Sequence, residues 1–522
     1  MDSSVLSPIL ATGPLRNFAT RQLWYRGVSD FLMSEQLLLQ GKILGIEEFL
    51  LSGAPDPHGG PGSRSGGEDL LAGRAQWITL FSEVLPRALL NELGLARILL
   101  GSSGGGQFLV VLPDTARAAA EEFLQAARRH ALELTRGHVH LLWSFTENLG
   151  DWAVVRKRLN EELQRRRSTP LAAGADVFQP AVTQTAGADP YFSSQLGQKL
   201  REATSVGWSP DAPALVTPGA GKYTWILTPN LSLDGITLAR HAAPSEDGKS
   251  AATVATLGRR AQGRSMWGVL RGDVDNFGVR LRRLTTIEEH VQLSVLYKQF
   301  FAGELEVLCS LPEFWRKVTI IHSGGDDFSV YGSWDALILL AREMQRLFHR
   351  FTEENLKEFP GAEGKTISMA MALAPDLHYP LPVVFEEAGR NLELAKSADK
   401  DCVYLLGRTL EWKQLNDAAD LKDNVTRLMT EYRSSRSFLL ELRTFYYKEA
   451  HGQTWHDKDS STQRTWRFQR RFNRILSGAR DREFQKLRAH LINEMVARKS
   501  ADVKLRPAGL VALEWARLST EV

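Results

Sequence analysis

Cysteine is almost missing from this chain: among 522 residues only Cys309 and Cys402 occur, far apart in sequence. That excludes a CxxC pair, a zinc ribbon and a disulfide framework. Long apolar runs are missing too. None approaches the roughly 18 residues that a membrane span requires, and the N-terminus shows no basic segment followed by an apolar core and cleavage site. A cytoplasmic protein without membrane contact is the expectation. Nor is there an excess of one charge, since 64 Lys and Arg face 61 Asp and Glu, for a net charge of +3. The apolar fraction of 43% and charged fraction of 24% are those of a globular chain, and its length suggests about three to four domains. The charge is unevenly placed. Residues 421–522 hold 21 Lys and Arg against 12 Asp and Glu, a surplus of nine. Within them Arg464, Arg467, Arg470, Arg471 and Arg474 alternate with Trp466, Phe468 and Phe472. Such a pattern suits RNA backbone or an acidic partner, and equally the solvated basic face of an amphipathic helix.

The stretch His322-Ser323-Gly324-Gly325-Asp326-Asp327-Phe328 lies between the apolar runs Val318–Ile321 and Phe328–Tyr331. It reads as a β-hairpin with two adjacent carboxylates at its tip, because Gly324 and Gly325 can adopt tight-turn geometry and leave no side chain in the way. Two carboxylates there can hold divalent metal, and the bare backbone lets phosphates approach. A merely acidic turn is the alternative. Around it the order is strand Trp267–Gly272, Asp273-Val274-Asp275-Asn276-Phe277-Gly278, a helix over about 285–309, the hairpin, a helix near 334–352, a strand at Thr366–Ala374, a helix at about 382–397 and the short strand Val403–Leu406. The βαββαβ order is that of a ferredoxin-like sheet, the palm of many polymerases and cyclases. It sets the first strand antiparallel to the third, which predicts Asp273 beside Asp326 and Asp327. Three converging carboxylates repel one another unless a cation neutralises them.

An internal repeat is also visible. Ser103-Gly104-Gly105-Gly106-Gln107-Phe108-Leu109-Val110-Val111-Leu112 repeats the hairpin, with Ser103 matching Ser323, Gly106 matching Asp326 and Gln107 matching Asp327. Arg26-Gly27-Val28-Ser29-Asp30 is matched to Arg271–Asp275, which puts Val28 at the Asp273 position. A helix at about 73–93, a strand Leu95–Leu100, a helix at about 115–134 and a strand Val139–Phe145 complete the copy. It lacks the carboxylates, and its glycine turn stays open to a base, ribose or phosphate.

Two palms, one degenerate and one bearing DVDN and GGDD, resemble the large subunit of type III CRISPR interference complexes, the Cas-ten family in its Csm-like form. Gly73-Arg74-Ala75, SGGGQFLVVLP, Gly197-Gln198-Lys199-Leu200, Glu393-Leu394-Ala395-Lys396 and Trp412 add to it, over about residues 20–412. The resemblance implies conversion of ATP into oligoadenylates, usually cyclic, when the complex binds target RNA. Carried over by position, Asp273, Asp326 and Asp327 would be catalytic and hold two Mg2+ or Mn2+ ions, with the Val274 carbonyl as a further ligand; Asp275 either orients the turn or touches metal. ATP would meet Ser323, Gly324, Gly325, Asn276, Phe277 and Lys396, the last in the place of the phosphate-binding lysine of GGDEF cyclases. Ser103, Gly104 and Gly105 would line the second ATP. Implied partners are the backbone, small and crRNA 5′-end-binding subunits, CRISPR RNA and target RNA.

Departures from the family are expected as well. No His-Asp pair precedes the first palm, and His456-Asp457 sits in a polar stretch, so no HD nuclease activity is expected; the zinc-binding cysteines are missing. The expected fold class is α+β: a first palm over 1–146 with a disordered Gly53–Gly67 insertion, a linker domain over 147–262 whose part Ala242–Gly263 is mobile, a second palm over 263–412, and a basic helical domain over 413–522. A stand-alone cyclic-dinucleotide synthase, a catalytically silent scaffold and a templated polymerase are the competing functions.

Overall fold

The computed structural model describes residues 36–54, 67–168, 190–228, 235–398, 400–431, 482–499 and 502–521, with a few isolated positions between 439 and 470. Arg26–Phe31, His456-Asp457 and the arginines from Arg464 to Arg474 except Arg470 lie outside these residues, as does most of the Gly53–Gly67 insertion. Among the described residues no helix is long and apolar enough to cross a membrane.

The first unit starts with β1 (Gln36–Leu44) and the short α1 (Ile46–Leu51), followed by α2 (Glu68–Glu92), β2 (Leu100–Gly104), β3 (Gln107–Pro113), α3 (Arg117–Leu134) and β4 (His140–Glu147). Its sheet order is β2-β3-β1-β4. After α4 (Trp152–Ser168) comes a small sheet of β5 (Ser205–Trp208), β6 (Thr217–Pro218), β7 (Tyr223–Thr228) and β8 (Gly235–Thr237), then α5 (Val254–Arg259). The second unit runs β9 (Trp267–Val274), α6 (Phe277–Arg283), α7 (Ile287–Lys298), β10 (Val318–Gly324), β11 (Asp327–Ser333), α8 (Trp334–Asn355), β12 (Ile367–Leu373), α9 (Leu381–Ala398), β13 (Cys402–Leu405) and β14 (Arg408–Glu411). Its order, β10-β11-β9-β12-β13-β14, contains the same four-strand arrangement. The C-terminal part has α10 (Trp412–Thr430), α11 (Arg482–Met495), a β15–β16 pair (Val496–Lys499, Asp502–Leu505) and α12 (Pro507–Thr520), which packs on α10.

The two four-strand sheets repeat each other in detail. Both hairpins carry a register shift at the same place, between Leu100 and Ser102 and between Ile320 and His322. Ser103 lies opposite Phe108 as Ser323 lies opposite Phe328. The first strand of the first unit, however, is Gln36–Leu44, in the place the letter match had given to residues 26–30. Gly41 opposes Phe108 and Lys42 opposes Gln107, as Gly272 opposes Phe328 and Asp273 opposes Asp327. The backbone agrees: Ile43 N–H donates to the Gly106 carbonyl at 2.7 Å, and Val274 N–H donates to the Asp326 carbonyl at 2.9 Å. The glycines agree too, since a Cβ on Gly41 would come 2.1 Å from the Phe108 ring and one on Gly272 would come 2.3 Å from Phe328. The residue in the Asp273 position is therefore Lys42, not Val28.

Two further expectations give way. Leu95–Leu100 is a strand only from Leu100 onward, because Arg97–Leu99 forms a 3-10 turn. The supposed linker Ala242–Gly263 is built into the structure. His241 carbonyl accepts from Ile320 N–H at 2.9 Å and Ala243 N–H donates to Thr319 Oγ1 at 3.1 Å, which covers the β10 edge. Ala243, Ala252 and Leu257 are buried there against Trp267 and Tyr331.

Helix α2 explains how the units meet. It is buried on nearly every side, from Trp77 stacked on Phe81 at 4.9 Å to Leu89, with Gln76, Ser82, Glu83 and Arg87 buried among the apolar residues, as in a helix enclosed by other elements. Gln76 donates to the Ala239 carbonyl at 3.1 Å and the Ile321 carbonyl at 3.3 Å, so a first-unit helix lies against β10 of the second.

Candidate active site

The antiparallel β9–β11 register sets Asp273 directly opposite Asp327, with Asp326 one residue before it at the hairpin turn. Gly325 supplies the left-handed conformation that the turn needs, at φ 69°. Lys396, in the last turn of α9, reaches Asp273 with Nζ 2.5 Å from Oδ1. His322 links two neighbours: Nε2 lies 3.1 Å from Asp327 Oδ2, and Nδ1 lies 2.6 Å from the fully buried Ser329 Oγ. Arg271 sits two residues before Asp273, stacked over the Phe385 ring at 4.4 Å.

The electrostatics follow from crowding. Burial, with the charges of Asp327 and Asp275 adding to it and Lys396 opposing, pushes the Asp273 carboxyl up to about 6. Burial and the like charges of Asp327 and Asp273 drive Asp326 well above the usual carboxylate range. Asp327 goes the other way. Burial raises it, but His322, Arg271 and Lys396 together outweigh burial and hold it below its ordinary value.

The backbone convergence anticipated for the three carboxylates is present, while their side chains are not gathered into a finished ligand set. Among the described residues no group of three or more His, Cys, Asp or Glu side chains is arranged to hold a metal ion. Asp273 faces Lys396 and Asp327 faces His322. The donors are nevertheless hard oxygens suited to magnesium or manganese, and burial together with the neighbouring carboxylates raises Asp273 and Asp326, while the Lys396 ammonium pairs with Asp273.

Several sequence candidates serve as framework. Asp275 is buried, and its carboxylate accepts from Thr366 Oγ1 at 2.8 Å, Ser368 Oγ at 2.8 Å and Asp401 N–H at 2.9 Å. The Phe277 ring packs on Tyr297 at 4.7 Å within the core. Asn276 adopts φ 57° and accepts from Lys400 Nζ. The buried Ser323 hydroxyl donates to the Phe301 carbonyl, which leaves Gly324 and Gly325 as the open part of the turn. Val274 pairs with Ile367 on β12.

In the first unit the corresponding positions are Lys42, which is exposed, Gly106 and Gln107. Gly104, Gly105 and Gly106 all take positive φ, at 118°, 57° and 72°. The two glycine turns meet tip to tip: a Cβ on Gly105 would lie 3.2 Å from Gly325 Cα, and one on Gly325 would lie 3.2 Å from Gly105 Cα. Lys42, Ser329 and Arg271 are not singled out by the sequence motifs. Glycines matched by the aromatic rings they face would have revealed the first.

The family described as Cas10/Cmr2, second palm domain, matches residues 266–404. The chain is similar to the CRISPR system single-strand-specific deoxyribonuclease Cas10/Csm1 (subtype III-A) of Mycobacterium tuberculosis, 26% identical over 513 residues, covering 80% of this chain and 61% of that protein. It thus spans less than two thirds of that relative's length. Among solved structures, a Csm1-Csm4 cassette in complex with cA3 aligns with a TM-score of 0.66 at 16% identity, covering 93% of this chain and 70% of the other. The Csm1-Csm4 cassette in complex with AMPPNP aligns with a TM-score of 0.65 at 17% identity and the same coverage.

Proposed function

We propose that this chain, which belongs to the Cas10/Csm1 family of type III-A CRISPR large subunits, joins ATP molecules into oligoadenylates, linear or cyclic, inside an RNA-guided effector complex. The observation that carries the reading is the pairing of Asp273 with Asp327 beside a bare glycine turn that touches a second such turn. Bond formation between two nucleotides needs a donor triphosphate and an acceptor ribose held side by side, and two abutting glycine turns offer two such seats.

In this reading the second-unit seat takes the donor. Asp273, Asp326 and Asp327, with the Val274 carbonyl, would hold two magnesium or manganese ions, which supply charge neutralisation for the attacking ribose oxygen and the departing pyrophosphate. Lys396, already beside Asp273, adds positive charge for the triphosphate. Gly324 and Gly325 let the phosphates approach the backbone. Asp275 keeps the strand end in place through its three donors. The acceptor seat is formed by Ser103, Gly104 and Gly105. There Lys42 replaces the carboxylate of the other unit, so the second triphosphate meets a cation. The relatives solved with Csm4, cA3 and AMPPNP support a neighbouring subunit, an oligoadenylate product and an ATP substrate. Target RNA bound through CRISPR RNA would switch the reaction on. The deoxyribonuclease activity in the relative's name is no part of the proposal.

The assay is synthesis by the assembled complex given ATP, magnesium and a matching target RNA, read by mass spectrometry. Oligoadenylates from the native chain support the reading, and consumption of GTP alone, or no product, refutes it.

A further inference from the structure

The twin serines Ser103 and Ser323 occupy the same position in their two hairpins. Both are anchored to one stretch of the second unit, the end of α7 and the π-helical segment Gln299–Glu304 that continues it. Ser323 reaches it directly by donating to the Phe301 carbonyl. Ser103 reaches it through a buried ionic cluster: its hydroxyl donates to Glu83 Oε2 at 2.8 Å, and Glu83 Oε1 lies 2.5 Å from Lys298 Nζ. Arg87 closes the cluster, with Nη1 2.7 Å from Glu83 Oε2, 2.6 Å from the Glu83 carbonyl and 3.2 Å from Ser103 Oγ. The side chains of Glu83, Arg87 and Lys298 are only 2%, 6% and 15% exposed. Glu83 also borders the acceptor turn, since a Cβ on Gly104 would lie 3.0 Å from its Oε1. Burial pushes Glu83 up, yet Lys298 and Arg87 outweigh it and hold the carboxyl down at about 2, so Glu83 carries its charge at neutral pH, while burial holds Lys298 below the usual lysine range against the pull of Glu83.

Buried charges of this kind add little to stability, because desolvation offsets their attraction, and apolar replacements are often neutral or stabilising. What the cluster does supply is direction. It ties the first unit's hairpin to the helix that already holds the second unit's hairpin. Building on the nucleotidyl-transfer reading, we infer that Glu83 and Lys298 are positioning residues: their buried pair fixes the acceptor turn at Gly104-Gly105 against the donor turn at Gly324-Gly325, and so sets the approach of the acceptor ribose to the donor phosphate. A displacement of about 1 Å in such an approach is enough to cost about a hundredfold in rate.

The test compares native, Glu83→Leu/Arg87→Leu/Lys298→Leu and Lys298→Arg chains in the assembled complex, the triple replacement leaving no buried charge of the cluster without a partner. For the apolar triple, the expected result is an unfolding midpoint equal to or above native, a KM for ATP within about threefold, and kcat lower by at least tenfold, while Lys298→Arg keeps most of the native kcat. Amide exchange of the nucleotide-free complexes gives a second readout: protection over residues 102–107 should fall about tenfold while that over 318–324 holds. Native-like kcat together with unchanged exchange in the apolar triple overturns the inference, as does a loss of activity matched by loss of folded protein. If the native complex makes no oligoadenylate, the nucleotidyl-transfer reading fails alone, and the exchange comparison still decides whether the cluster positions the turn.

Discussion

Replacing Asp275 separates two roles that the sequence left open, because they predict opposite signs of stability change in the absence of metal. The carboxylate is buried and accepts three hydrogen bonds, two at Oδ2 from Thr366 Oγ1 and Asp401 N–H and one at Oδ1 from Ser368 Oγ. Hydrogen bonds to a charged group contribute about 1.5–3 kcal/mol each. Asp275→Ala removes all three and strands the Asp401 N–H, while the two hydroxyls can turn to other acceptors. A loss of about 3–6 kcal/mol is expected. Asp275→Asn keeps one acceptor oxygen and should lose about half as much. A metal ligand behaves otherwise. Beside Asp273, whose carboxyl Asp275 helps to push up, removing a surplus negative charge from the metal-free chain would leave stability unchanged or raise it. The assay is urea unfolding in EDTA and again in magnesium. A structural acceptor gives the same large loss in both. An Asp275→Ala chain as stable as native in EDTA and weaker only in magnesium would refute the assignment.

Two more perturbations test other parts of the account. Burial holds His241 and His290 down at about 4, with Arg156 also lowering His290 and the Trp315 carbonyl opposing at His241. Their folded pKa values lie below the unfolded value, so the stability they contribute is complete above about pH 6.5 and is lost as pH falls toward 4; at pH 5 that is about 2 kcal/mol each. The raised carboxyls of Asp273, Asp326, Glu304 and Glu306 act in the opposite direction. The measurement is therefore the difference between native and His241→Gln/His290→Gln chains in urea at pH 7.5 and 5: the native chain should lose more, and parallel losses would count against the burial argument. Lys42→Ala should raise the KM for ATP about tenfold, the effect of one charge-assisted phosphate contact of about 1.4 kcal/mol, and Lys42→Asp should raise it further. An unchanged KM in both removes Lys42 from the acceptor seat.

The sequence made some of this site legible and hid the rest for identifiable reasons. Asp273 could be placed beside Asp327 because the βαββαβ order dictates an antiparallel first and third strand. The match of Ser103 to Ser323 could be read because both hairpins keep the glycine turn. The first strand was misplaced because its partner was sought through the letters Arg-Gly and a following Asp. The physical constraints were an apolar central strand and a glycine under an aromatic ring, and Leu37 to Leu44 with Gly41 under Phe108 meets both. The sheet of β5 to β8 escaped notice because its strands run from two to six residues, too short for an alternating pattern to stand out. The Glu83–Lys298 pair could not be read at all, since 215 positions separate its members and only the packing of α2 against the second unit joins them.

The most direct test of the central claim is product analysis of the assembled complex carrying Asp326→Ala and Asp327→Ala, with ATP, magnesium and matching target RNA. The account predicts oligoadenylates from the native complex and none from the double variant, with RNA binding retained. Equal product from both would place the chemistry elsewhere than at the Asp273–Asp327 pair.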